Sequence, residues 1–399
     1  MQSRLSASPD FWRLWFVGMV AFVVRWLEML AIGLFAYQLT GSAFVVAMLS
    51  MLRVLPMGLF GVFLGAAAER IERHRALILM IAISIAGALA LAILASLGAI
   101  RIWHLGLVSF VNGICWAADN PVRRMMIGDV VGSERMGTAM SIDAGTNNAS
   151  RVLGPTLSGL LLAHAGIASV FWLGAALYVV SLVAALKIGV RSGRSGIQHA
   201  PFFASIQQGL AWARNDRRII GVFLITIFFN VFGWPFTSMI PVFGTDYLHL
   251  GPEGIGLVAS CEGVGGLIGA LLVAWLGRPE WYGRIYVGAV VSYIVMAIAF
   301  ALSSVVAVAA GVLLLSGTLS TGFAVMQATL VYRIAPPEMR ARLLGVLSVC
   351  IGTSPIGFLY LGWLADSFAP RAATVALGMQ GLAVMLLTRR YWLPVLRTS

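Results

Sequence analysis

Apolar runs of about 20 residues, separated by short polar breaks, recur along nearly the whole chain, and few architectures can absorb that pattern. A helix rises 1.5 Å per residue, so roughly 20 apolar residues cross a hydrocarbon core, and in lipid every backbone polar group must be satisfied within the helix. Runs bounded by Gly, Pro and charged residues place helices at 12–37, 43–67, 76–98, 103–127, 138–163, 168–189, 219–244, 254–277, 284–303, 305–332, 341–364 and 371–389. Only 11% of the 399 residues are charged and 60% are hydrophobic, whereas about a quarter are charged in a soluble domain. The pattern implies an all-α integral membrane fold of twelve helices.

Most connections between these runs are short. The exception is the polar, Arg-rich stretch 190–218, which divides the chain into six-helix halves at 1–189 and 219–399. Within it Phe202, Phe203, Ile206, Leu210 and Ala213 recur at helical spacing after Pro201, which predicts an interfacial amphipathic helix. The formal charge of +12 is read as topology, because Lys and Arg are retained on the cytoplasmic side. With an inside N-terminus, Arg101 and Arg371 fall in outer loops and Arg25, Arg53 and Arg151 inside helices, leaving 22 of the 27 basic residues in cytoplasmic segments. Both termini are therefore expected in the cytoplasm. Met1–Asp10 carries no small-residue cleavage pattern, so helix 1 is expected to remain in place. Met126–Ser141 and Leu330–Gly345 each leave an apolar run, cross a charged loop and enter another, and Gly159 corresponds to Gly362. This suits two parallel repeats related by an axis along the membrane normal.

The loop after helix 2 reads Gly65-Ala66-Ala67-Ala68-Glu69-Arg70-Ile71-Glu72-Arg73-His74-Arg75, and helix 5 contains Arg151-Val152-Leu153-Gly154-Pro155-Thr156-Leu157-Ser158-Gly159. The first resembles the loop signature of the major facilitator superfamily, and the second resembles that superfamily's antiporter motif. Tyr37-Gln38-Leu39-Thr40-Gly41-Ser42 and Asp119-Asn120-Pro121 further resemble the branch of enterobactin exporters and drug:proton antiporters. The resemblance implies two pseudo-symmetric six-helix bundles that rock about a central site. Helix 4 is read without the buried arginine that many proton antiporters of this superfamily carry. Charges at this helix-loop junction can pair with the neighbouring half in one state and separate in the other, so Gly65, Glu69, Arg70 and Arg73 are expected to form a conformational latch, the alternative being positive-inside anchoring. Gly154, Pro155 and Gly159 in helix 5, with Gly233, Pro235 and Pro241 in helix 7, are candidate bending and gating positions, since Gly and Pro interrupt helices where neighbours approach closely.

An ionised side chain at the bilayer centre costs about 2.5–3.5 kcal/mol on insertion scales, so each one requires a reason. Seven qualify: Arg25, Glu28, Arg53, Asp119, Asp143, Arg151 and Glu262. Arg25 and Glu28, three residues apart, share a helix face near the midplane, where they either form a structural ion pair or take part in coupling. Glu28 is the expected protonation site, with Arg25 and Arg53 as tuning partners or contacts for an anionic substrate, and Arg151 in the same cluster. Asp119 and Asp143 are expected nearer the cytoplasmic face. Trp26, Tyr37, Trp116, Phe229, Phe232, Trp234, Phe236 and Tyr360 are candidate stacking surfaces.

Cys115, Cys261 and Cys350 lie apart in apolar runs and the five histidines are scattered, so no metal or cofactor is expected. Gly263–Gly269 lies inside an apolar helix without a following Lys-Ser or Lys-Thr and is a packing seam, and no nucleophile elbow or catalytic carboxylate pair stands out. The expected function is secondary active transport across a bacterial inner membrane: proton-coupled export of an amphipathic small molecule, drug or siderophore-like. The alternative is proton-coupled uptake of a small organic anion or siderophore, with an enzyme or a non-transporting receptor further behind. The expected partners are membrane lipid, the substrate and protons, with no nucleic acid and a monomeric chain.

Overall fold

The computed structural model describes residues 8–70, 72–189 and 202–397, and within these leaves the side chains of 61–70, 120, 133, 202–205, 276 and 397 undescribed. The described residues form helices throughout, as an apolar chain must when lipid offers its backbone no hydrogen bonds. In order they are α1 (Pro9–Thr40), α2 (Ala43–Arg70), α3 (Arg73–Ser96), α4 (Ile102–Val131), α5 (Met136–Leu186), α6 (Phe202–Ala213), α7 (Arg217–Phe228), α8 (Ile240–Asp246), α9 (Pro252–Leu276), α10 (Tyr282–Leu302), α11 (Val306–Ile334), α12 (Pro337–Ile351), α13 (Ser354–Phe368), α14 (Pro370–Leu387) and α15 (Arg389–Trp392).

Ten helical stretches, two of them running on from α7 to α8 and from α12 to α13, are long and apolar enough to cross a membrane. One of the ten, α5, is two helices joined at Gly166, whose φ of 72° and ψ of 178° are non-helical; a side chain there would be strained, and glycine relieves it. The 30-residue α4 is as long as its neighbours but carries Asp119, Arg123 and Arg124. Counting it and both parts of α5, the described residues provide the twelve spans expected.

Two compact units are formed. Unit 1 comprises Met1–Phe35, Leu52–Ile197 and Pro252–Ser260; unit 2 comprises Ala36–Met51, Gln198–Gly251 and Cys261–Ser399. In unit 1, Leu14, Val17 and Val24 of α1 pack with Leu77 and Ile81 of α3, Val122 and Met126 of α4, and Ala139 and Tyr178 of α5. In unit 2, Phe323 stacks on Phe229 with ring centroids 3.9 Å apart, and on Tyr286 at 5.5 Å. The linker does form a helix, α6, but its apolar stripe is divided: Ala213 is buried while Leu210 stays 44% exposed. Gly209 of α6 lies against α12, where a Cβ would meet the Arg342 carbonyl oxygen at 3.1 Å.

Candidate functional site

Unit 1 gathers its rare ionisable groups where α1, α2, α4 and α5 meet. Glu28 of α1 is fully buried, and its Oε2 accepts hydrogen bonds from Asn112 Nδ2 at 2.9 Å and from Arg53 Nη2 at 3.4 Å. Its Oε1 has no hydrogen-bond partner among the described residues. The cation paired with Glu28 is thus Arg53 of α2. Arg25, one turn away on α1, turns elsewhere: its Nη2 donates to Asn147 Oδ1 of α5 at 2.8 Å. The guanidinium carbon of Arg25 also lies 5.0 Å from the Phe22 ring centroid and 4.7 Å from that of Trp116. An Arg25–Glu28 ion pair, one of the two expectations for this helix face, is replaced by two separate polar links out of α1.

Arg25, Arg53 and Asn112 line one cavity of about 50 Å³, together with Phe22, Trp116, Asp119 and Tyr178. Arg151, the remaining arginine expected here, stands 5.1 Å from the Trp26 ring centroid by its guanidinium carbon.

A second polar centre overturns the reading of helix 4. Arg123 of α4 is completely buried; its Nε pairs with Asp119 at 3.2 Å and its Nη1 with Asp143 of α5. Gly18 of α1 makes room for it, since a Cβ there would lie 2.6 Å from the Arg123 Cζ. Arg123 escaped the sequence reading because Arg123-Arg124 near a helix end reads as positive-inside anchoring. Its signal was Asp119 four residues earlier, the spacing that brings two helical side chains together. Asp119 and Asp143 are therefore held by one internal cation. Asn112 and Asn147, which complete the Glu28 and Arg25 links, carry no charge to mark them in an apolar run.

The Gly-Pro segment of α5 is a close-packing surface. A Cβ on Gly154 would sit 2.5 Å from Trp26 Cβ and 2.8 Å from the Leu27 nitrogen, and one on Gly159 would sit 2.6 Å from the Pro252 carbonyl oxygen. Pro155 lies buried between them. In unit 2, the stretch from α7 to α8 is broken as its sequence suggested: a π-helical turn at Phe229–Gly233 gives way to a 3-10 segment at Trp234–Met239, and Pro235 and Pro241 open the segments that follow. Single π-helical turns mark places where a helix departs from regular geometry, often near sites of function.

The other candidates are dispersed. Glu262 is buried on α9 within unit 2. Phe229, Trp234 and Phe236 pack against Tyr293, Phe358 and Phe300, Tyr360 donates to Gln380 at 2.9 Å, and Tyr37 bonds Asp246. Of the latch candidates, Arg73 pairs with Asp129 of α4 at 2.7 Å; the side chains of Gly65, Glu69 and Arg70 lie outside the described residues.

Residues 14–358 match the family model of the Major Facilitator Superfamily. The chain belongs to that superfamily. As a superfamily member it is 24% identical over 273 residues to Macrolide efflux protein A of Streptococcus pyogenes, covering 68% of this chain and 67% of that one. It is 25% identical over 358 residues to Multidrug efflux pump Tap of Mycolicibacterium fortuitum, covering 86% of each, and 21% identical over 255 residues to the Staphyloferrin A transporter of Staphylococcus aureus, covering 63% of this chain and 64% of that one. The fold is also that of the nucleoside transporter NupG, with a TM-score of 0.80 at 12% identity over 96% of this chain and 99% of that one. The superfamily member is thus a multi-pass membrane transporter and not an enzyme.

Proposed function

We propose that this transporter exports an amphipathic small molecule, drug or siderophore-like, across a bacterial inner membrane by alternating access, with inward proton flow as the driving force. Both termini face the cytoplasm, and two six-helix halves rock about a central site while the Glu69, Arg70 and Arg73 region latches one state. The observation that carries the proposal is Glu28: a fully buried carboxyl whose two partners, Arg53 and Asn112, line a cavity, and whose second oxygen is unpartnered. A carboxyl with one oxygen bonded to a guanidinium and an amide and the other unpartnered can exist charged or neutral, which is the property a proton carrier needs. The efflux names of two relatives support export.

A second reading is proton-coupled uptake of a small organic anion or siderophore. It is supported by the two arginines on the cavity wall and by the staphyloferrin relative. Untargeted comparison of metabolites inside and outside cells with and without the gene separates the two. Export predicts a compound that accumulates inside and disappears from the medium when the gene is deleted. A compound that persists in the medium instead establishes uptake, and no difference between the strains contradicts both.

A further inference from the structure

The cavity of unit 1 has a chemical polarity that bears on the substrate whichever way it is carried. Its charged lining residues are Arg25, Arg53 and Asp119. Asp119 is committed to Arg123 at 3.2 Å. The two guanidinium groups are not fully committed: among the described residues, Arg25 Nε and Arg53 Nε and Nη1 are buried donors without a hydrogen-bond partner. Buried donors are normally paired, and leaving guanidinium N–H groups idle is costly. The acceptors left open nearby, Asn112 Oδ1 and Glu28 Oε1, belong to one neutral group and to a carboxylate already bonded to Arg53. A cation would have to reach them past two guanidinium groups of its own sign. The cavity offers about 50 Å³, room for a few waters or one carboxylate group, since a water occupies roughly 10–15 Å³ on that measure. Beside it stand the rings of Phe22 and Trp116, already faced by the Arg25 guanidinium.

We infer that the cavity takes the carboxylate group of an organic anion, held between Arg25 and Arg53 with Phe22 and Trp116 as its apolar wall. The inference rests on the transport reading and names its substrate class, whichever way the substrate is carried. A guanidinium fork matches a carboxylate in plane and in donor spacing, which a lysine ammonium does not. The ligand and Glu28 then share the Arg53 guanidinium, Glu28 on Nη2 and the ligand on the donors it leaves open, Nε and Nη1.

Equilibrium dialysis of the purified full-length protein in detergent tests this with three probes of one size: acetate, acetamide and isopropylamine. The acetate binds at least about tenfold more tightly than the amide, the scale of one charge-assisted hydrogen bond. Arg25→Lys and Arg53→Lys each lose most of that preference while amide binding is unchanged. Glu28→Gln tightens acetate binding by removing a neighbouring negative charge from Arg53, whereas loss of a purely structural pair would weaken all three probes alike. Equal affinity for acetate and acetamide, or tighter binding of the amine, overturns the inference. Either result leaves the export reading standing, because that reading is judged by movement of a metabolite across the membrane.

Discussion

Arg123 allows a quantitative prediction. Its guanidinium holds Asp119 and Asp143 at side-chain exposures of 14% and 5%, and is itself fully buried. Substituting Arg123→Met preserves much of the volume but leaves two carboxylates facing an apolar side chain. Removing one partner of a buried ion pair costs about 3–5 kcal/mol, mostly the penalty of the stranded charge. That corresponds to a change of about a hundredfold to several thousandfold in the unfolding equilibrium. If stranded charge is the cause, adding Asp119→Asn and Asp143→Asn should recover most of the loss, to within about 1–2 kcal/mol of wild type, because neutral replacement of a buried ion set is often tolerated. Unfolding by sodium dodecyl sulfate in mixed micelles, followed by far-ultraviolet circular dichroism, compares the three proteins. A single Arg123→Met variant within about 0.5 kcal/mol of wild type would refute the reasoning, as would a triple variant no more stable than the single one.

Gly154→Val drives side-chain atoms into the α1 backbone, where even a Cβ would lie 2.8 Å from the Leu27 nitrogen, so it should cost about 1–3 kcal/mol or more; Gly145→Val on the same helix, where nothing lies within 4 Å of a Cβ, should unfold at nearly the wild-type detergent concentration. Asp366 accepts from the Phe44 N–H at 3.1 Å and from Ser42 Oγ at 2.9 Å, capping the start of α2, so Asp366→Ala should cost about 1 kcal/mol and speed hydrogen exchange in residues 43–50 about fivefold, with unchanged protection counting against the cap. Burial pushes the Asp216 carboxyl up, but side-chain and backbone hydrogen bonds from Arg218 outweigh it and hold the group below its ordinary value of 3.8. Its stabilising contribution is therefore complete above that value and disappears as pH falls through the lowered one. Asp216→Asn should flatten that acid limb of the stability profile, and an identical limb in the variant would exclude the contribution.

The spans were legible because hydrophobic length decides them; in α4 the buried role of Arg123 was not, because Asp119, Arg123 and Arg124 make a buried segment look like the approach to a loop. The two spans within α5 were already separate in sequence, at 138–163 and 168–189, and the positive φ at Gly166 marks the break between them. Arg25, Glu28 and Arg53 were visible because charge in an apolar run is expensive enough to be conspicuous. Their pairing was not visible. Spacing places Arg25 and Glu28 on one face of α1, but Arg25 reaches Asn147 and Glu28 reaches Arg53 and Asn112 because helix packing brings those groups close from other directions. Asparagines are too common in polar and apolar contexts alike to be singled out from one sequence. Gly154 and Gly159 were legible as close-approach positions, whereas the partners they approach, Trp26 and Pro252, depend on tertiary packing.

The central claim is that Glu28 carries the proton that drives transport. Inside-out membrane vesicles containing wild type or Glu28→Gln, supplied with the metabolite identified by the deletion comparison and with an imposed pH gradient, test it directly. The account predicts uptake into wild-type vesicles that a protonophore collapses, and no gradient-driven uptake by Glu28→Gln present in equal amount and eluting as a single folded species. Gradient-driven uptake by Glu28→Gln with the wild-type pH dependence would contradict it.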